Sequence, residues 1–426
     1  MINNDIIKKP KKKYKEYIFY LGIFLLPSAF TISAILLLVA SIFGVIETRE
    51  NFLKDKFNRA FLISGFLMII SCIIQTLTFK NQQFLSWTPA LSWIGLANWI
   101  PFFIISFGFQ PFLVTNFQRK KFALMLLTGS VPVFLSGFAQ VFFNLHGPVE
   151  GLNGLIIWYL RPLGHDEITG IGLTGLFNNA NYAGAWLSIV WPISLAFFFE
   201  RESTIKKIIS FLFVILTSSC IFLTTSRAAL IGLSVGTIMF LNSKNLKWIL
   251  LFFSSVFFLI LFFIWNDIPI LFSADLLNEF KNFQYLDRLD MWIKSPEIIS
   301  SNPIFGTGAS SFSDQYKNIT GLYKNHSHNI ILELMLSYGI PAALFTTIPI
   351  FYLLMKSAKK LFEVKNIKSF IFDKSLIISL IIIIMIQMVD IQYFDGRISI
   401  AIWVLIAAIK NIVFKNTSPK DLERIN

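Results

Sequence analysis

The chain has 426 residues, 55% of them hydrophobic and only 14% charged, with a mean hydropathy of +0.66. That balance excludes a soluble globular domain and leaves a membrane protein built from apolar spans. The formal net charge of +13 is concentrated between those spans, so it reads as an orientation signal with anionic-lipid contact, and no nucleic-acid partner is expected.

Residues 1–16 form a basic tail with Lys8, Lys9, Lys11, Lys12, Lys13 and Lys15. From Tyr17 to Ile46 the chain is apolar but broken by Pro27, which is long for one span of roughly 20 residues and short for two. Charge decides between them. Segment 47–59 carries Arg49, Lys54, Lys56 and Arg59, so both it and the tail belong on the cytoplasmic side. The chain must then cross twice, as a hairpin turning near Pro27. Further spans are expected near 60–78, 91–114, 122–143, 182–199, 208–223, 226–241, 248–266, 329–355, 376–394 and 398–414.

This gives an all-α polytopic membrane protein of about 12 transmembrane helices, with 28 of the 37 Lys and Arg inside and 9 outside. Both termini are expected in the cytoplasm. The first nine spans occupy 17–266, with an outer loop at 144–181. A large, partly helical periplasmic loop covers 267–327, spans ten to twelve lie in 328–414, and a cytoplasmic tail covers 415–426. The first apolar run is too long for a signal-peptide core, so no cleavable signal is expected. Cys72 and Cys220 fall inside spans, which argues against a disulfide.

Three outer regions carry chemistry that lipid does not require. The first ends in Gly172-Leu173-Thr174-Gly175-Leu176-Phe177-Asn178-Asn179-Ala180-Asn181-Tyr182. Glycines and amides at a membrane entry suit either a tight turn aiming Asn178 and Asn181 at a ligand or an ordinary helix cap. The second is Thr224-Thr225-Ser226-Arg227, where the Arg227 fork either meets phosphate oxygens or snorkels to the interface.

The third is the large loop. Ser273 is placed to cap a helix running to about Ser295, where Pro296 is expected to stop it. Leu276, Phe280, Phe283 and Leu286 share one face, so this helix should lie on the membrane surface or the bundle. Arg288 falls on a more polar side, with Trp292 one turn on and within cation–π reach. Pro303, Gly306 and Gly308 turn the chain back toward His326-Ser327-His328-Asn329. The two histidines admit a metal pair, an interface role or a general base. No completing Cys or carboxylate spacing accompanies them, so no metal and no cofactor is assigned.

In this order the fragments resemble the O-antigen ligase / O-antigen polymerase family of bacterial envelope glycosyltransferases. The resemblance covers most of 170–345: Gly175 to Asn181, Ser226-Arg227-Ala228-Ala229-Leu230, Arg288 with Trp292, Pro303 to Gly308, and His328-Asn329 followed by Tyr338-Gly339-Ile340. Family members often have Pro where Ala180 stands, and an Arg where Gly172 and Leu173 lie. Arg161 replaces that charge only if its loop folds back.

The resemblance implies a metal-independent glycosyl transfer at the outer face of the membrane. An undecaprenyl-diphosphate-linked glycan would be the donor, and lipid A–core or another glycan the acceptor. His328 would deprotonate the acceptor hydroxyl, and Arg227 and Arg288 would neutralise the departing diphosphate. Asn178, Asn181, Trp292, His326, Asn329 and Arg161 would line the substrates. A ligase is the first expectation, a polymerase of the same family the second, and a solute transporter the third. Asp390, with Gln387 one turn before it, is the most transporter-like residue, but its place near Asp395 and Arg397 favours pairing within the outer cavity.

Overall fold

The computed structural model describes residues 13–79, 86–163, 172–200, 203–241, 284–363 and 367–414. The basic tail before Lys13, the span expected at 248–266 and the proposed cap at Ser273 lie outside the described residues. Within them the regular structure is helical except for a short antiparallel hairpin of β1 (Val149–Gly151) and β2 (Ile156–Trp158) in the 144–163 loop.

The Tyr17–Ile46 stretch folds as two helices, α1 (Lys13–Leu25) and α2 (Phe30–Thr48), that pack on each other after a turn at Pro27. Lys15 at the start of α1 consequently reaches Glu47 at the end of α2, at 3.7 Å. Then come α3 (Lys56–Thr78), α4 (Pro89–Gly95), α5 (Ile100–Phe109), α6 (Asn116–Gly129) and α7 (Val131–Phe143). The second half holds α8 (Ala180–Phe199), α9 (Thr204–Leu223), α10 (Arg227–Phe240), α11 (Gln284–Ser301), α12 (Phe312–Thr320), α13 (Ile330–Tyr338), α14 (Ile340–Glu363), α15 (Ile367–Gln387) and α16 (Gly396–Phe414).

Among the described residues, nine helical stretches are long and apolar enough to cross a membrane. The chain is an all-α polytopic membrane protein. Two of these stretches form the centre: α16 buries 89% of its apolar window and α8 buries 78%, whereas α9 buries 33%. Helices that are apolar all round sit inside, and the sides of α9 keep Ile205, Ile208, Phe211 and Leu212 exposed for lipid.

Polar ties collect at the two ends of the bundle. At one end Arg119 grips Asp373 through both arms, at 2.6 and 2.7 Å. Lys410 meets Asp55 at 2.6 Å, and the Asn411 amide donates to the Gln110 carbonyl at 2.8 Å. The opposite end holds Pro27, the 172–182 loop, the Thr224–Arg227 turn and the 388–397 turn.

Two expected elements are corrected. The helix expected to stop at Pro296 runs through it to Ser301. Proline removes one backbone bond, but Met291 before it and Ile298 and Ile299 after it all bury against Phe312, Tyr316 and Leu336. Burial on both sides of the proline outweighs the lost bond. The single span expected over 329–355 is instead two helices, α13 and α14, interrupted at Gly339 with φ +87°. A side chain there would collide with the Ile304 backbone. The 303–307 turn fills the break, with Ile340 N donating to Pro303 O at 2.8 Å and Thr307 N to Leu336 O at 2.7 Å.

Candidate active site

The site is built where the loop of α11 and α12 returns to the bundle. Ser327 is held from three directions. Its N–H and hydroxyl donate to the buried Glu333 carboxylate at 3.0 and 2.9 Å, and its carbonyl accepts the Trp292 indole N–H at 3.0 Å. On the other side Asn329 caps α13, accepting from Ile331 N and Leu332 N at 3.0 and 3.2 Å, and its amide donates to Met388 O at 3.0 Å. Between these two clamped residues His328 takes φ +53°, a left-handed conformation that is uncommon for any residue with a side chain.

That conformation aims the imidazole at the turn after α15. His328 Nδ1 lies 2.7 Å from Asp390 Oδ1. Arg288 stands against the same turn, with Nη2 3.6 Å from Asp390 Oδ2 and Nη1 donating to Val389 O at 3.0 Å. The turn itself is fixed by Gln387, whose side-chain oxygen accepts from Gln392 N at 3.0 Å and Tyr393 N at 2.9 Å. Asp390 is 8% exposed, while Arg288 and His328 keep 29% and 25% of their side-chain surface open. The carboxylate is therefore internal and the two groups it holds face outward.

Burial would push the Asp390 carboxyl up, but the His328 hydrogen bond and the Arg288 charge outweigh it and hold it below the usual range. An ionised Asp390 accepts a hydrogen bond from Nδ1–H, and that tautomer leaves the His328 Nε2 lone pair available as a base. His326 differs. Its ring centre is 4.1 Å from that of His328, and its Nδ1 accepts the His328 backbone N–H at 3.3 Å. Burial first, and the neighbouring His328 second, lower it to about 4, so it stays neutral and braces the turn. It also lines a cavity of about 250 Å³ with Asn98, Ser310, Asn325, Glu333 and Tyr338.

The other singled-out residues gather beside this cluster. Leu173 N donates to Leu223 O at 2.8 Å, and Gly184 lies against Ser226 and Ala229, so the turn bearing Arg227 packs on the 172–184 segment. Arg227 is half-buried at the start of α10. The 144–163 loop folds back: Leu160 N donates to Gly175 O at 3.0 Å, and Arg161 Nε donates to Asn178 Oδ1 at 2.9 Å. Asn181, half-buried, lies in the first turn of α8 beside Tyr182. Arg397 joins the segments, its guanidinium 4.5 Å from the Phe177 ring centre and 2.9 Å from Leu176 O.

The histidine pair, Arg288, Trp292 and Asn329 are thus in one contact network. Arg161 pairs with Asn178, and Arg227 stands on an adjoining turn. Trp292 bonds Ser327 rather than meeting Arg288 through its ring, because its N–H finds an unsatisfied carbonyl there. Glu333 and the direct Asp390 link were missed by pattern reading. The signal was a carboxylate within an apolar run, which is costly there unless a partner waits.

Fold and site together define a polytopic membrane protein with a His–Asp–Arg cluster at one end of the helical bundle. The model of the O-antigen ligase family matches residues 211–347, which include Arg227, Arg288, Trp292, both clustered histidines and Glu333. That match supports the O-antigen ligase / polymerase family. No curated protein matches it.

Proposed function

We propose that the protein transfers a glycan from undecaprenyl diphosphate to an acceptor hydroxyl at the outer face of the inner membrane, as an O-antigen ligase. The observation that carries this is the His328–Asp390 contact at 2.7 Å with Arg288 on the same carboxylate. A sugar hydroxyl is a weak nucleophile, and Nε2 of His328 takes its proton as the oxygen bonds to the anomeric carbon. The bond from that carbon to the diphosphate breaks, and the leaving charge falls to Arg288 and Arg227. Arg288 commits one N–H to Val389 and has others in its fork for phosphate oxygens. Asn178, Asn181, Arg161, Trp292, His326 and Asn329 order the surrounding pocket. Several of them act by holding the loop, since the Asn329 and Trp292 polar groups are occupied by backbone.

A lipid-linked donor fits the surroundings. A mostly apolar pocket lined by Ile330, Ile331, Ile350, Ile384, Met388 and Trp403 adjoins the site, with Ile330 next to Asn329 in the chain and Met388 two residues before Asp390. A polyprenyl tail meets an apolar wall there while its diphosphate reaches the cations. Transport is disfavoured because Asp390 is paired at one end of the bundle rather than unpaired along its middle.

Deleting the gene and resolving surface polysaccharide on a gel tests the assignment. Loss of all long glycan on lipid A with accumulation of lipid-linked polymer is expected for a ligase. Single repeats retained on the core would instead assign the polymerase reaction, and an unchanged profile would remove both.

A further inference from the structure

On the far side of the 303–310 turn, a second pocket of about 410 Å³ opens between the outer ends of α3, α11 and α12. Among the described residues its polar lining is neutral, with Gln75, Asn302, Thr307, Gln315 and Asn318, and Phe79 and Trp87 form part of the wall. An ionic ligand finds no countercharge among these residues. A purely apolar ligand would strand the amides without partners. A sugar, with hydroxyls around its edge and C–H groups on its faces, satisfies both halves of the lining.

Gln75 supplies the second observation. It is 5% exposed, and its Nε2 turns inward onto Ser71 Oγ at 2.8 Å, Phe305 O at 2.7 Å and Ser337 O at 3.0 Å. Its other terminal atom, Oε1, is buried with no hydrogen-bond partner. Buried acceptors are almost always satisfied, so this orphan on a pocket-lining residue is an acceptor that a donor in the pocket can serve once the Gln75 amide swings toward it. From Arg288 to Asn302 helix α11 rises about 20 Å, so an occupant sits several sugar residues away from the reacting bond.

We infer that this pocket is a remote subsite that grips a neutral sugar residue of a long glycan, on the donor or on the acceptor, during transfer. The inference rests on the glycosyl-transfer function proposed above. The test compares Asn302→Ala and Gln315→Ala with the parent protein. The probes are polyprenyl-diphosphate glycans extracted from the source membranes and fractionated into one-repeat and many-repeat donors. Each is paired with a short and then a long glycan acceptor.

Loss of one or two hydrogen bonds should raise KM for the long substrate about tenfold, with kcat and one-repeat transfer to the short acceptor unchanged. The arm that responds identifies the source of the sugar. Asn318→Trp, which fills the exposed rim without touching the buried lining, should act the same way. Unchanged KM for long donors and long acceptors, while one-repeat transfer proceeds, overturns the subsite alone. No transfer by the parent protein with any probe overturns the underlying reaction and the subsite with it.

Discussion

His328 and His326 are two residues apart and touch, yet their surroundings assign them different work. His328 faces an ionised partner, whereas the His326 Nδ1 is occupied by a backbone N–H. His328→Ala should therefore lower transfer by about 10²–10⁴-fold, the usual contribution of a general base, while His326→Ala keeps measurable activity. Equal rates for His328→Ala and the parent in a reconstituted assay would end the mechanism. Asp390→Asn should also be strongly impaired, because a neutral amide no longer fixes the Nδ1–H tautomer. Arg288→Lys keeps the charge but loses the fork, so activity should fall substantially with normal membrane insertion; full activity would reduce Arg288 to holding the Val389 turn.

Acid adds a separate check on His326. Its value drops from 6.5 to about 4 on folding, so between those limits the unfolded chain binds a proton that the folded chain refuses. Stability from this residue is complete above 6.5 and declines as pH falls toward 4. The thermal midpoint of the parent should drop more between neutral and mildly acid buffer than that of His326→Gln. Parallel curves would contradict the burial seen for this ring.

At the scale of elements, the polar ties at the far end of the bundle hold α6 against α15. Arg119 and Asp373 are both almost fully buried and doubly bonded. Removing one partner strands a buried charge, which typically costs about 3–5 kcal/mol. Arg119→Met should thus reduce the yield of folded protein in detergent, and Arg119→Met combined with Asp373→Leu should recover much of it. Failure of the double replacement to improve on the single one would show that the charge pair itself is required. The break between α13 and α14 is a second such device, since it lets the 303–307 turn seat itself in the bundle and sets the direction in which α13 presents His328.

For the whole molecule, the α1–α2 hairpin brings residues 47–59 to the same end as Arg119, Lys410 and Asp373. From the charge split, that end is expected to face the cytoplasm. Cysteine introduced at Asn51, in a background lacking Cys72 and Cys220, should resist an impermeant thiol reagent in intact spheroplasts. Ready labelling would invert the orientation and put the His–Asp cluster on the wrong side for an outer-face enzyme. Transfer should also continue in EDTA, because the proposed chemistry runs through a base and two guanidinium groups. Inhibition reversed by a divalent ion would return the histidine pair to the role of metal ligands.

The apolar runs, the basic segments between them and the order of Asn178, Arg227, Arg288 and His328 were legible along the chain, because hydropathy, charge bias and local motif are properties of neighbouring residues. The α1–α2 hairpin was legible for the same reason: two basic segments flank a stretch with a proline in it. Only the tertiary structure joined His328 to Asp390 across 62 positions, clamped Ser327 through Glu333 and folded Arg161 onto Asn178. Those contacts depend on where helices cross and on which turn fills a neighbour's break. Pro296 and Gly339 show why pattern could not supply this. Proline was tolerated because both flanks of its helix found burial, and glycine interrupted a long apolar run because a distant loop occupied the space beside it.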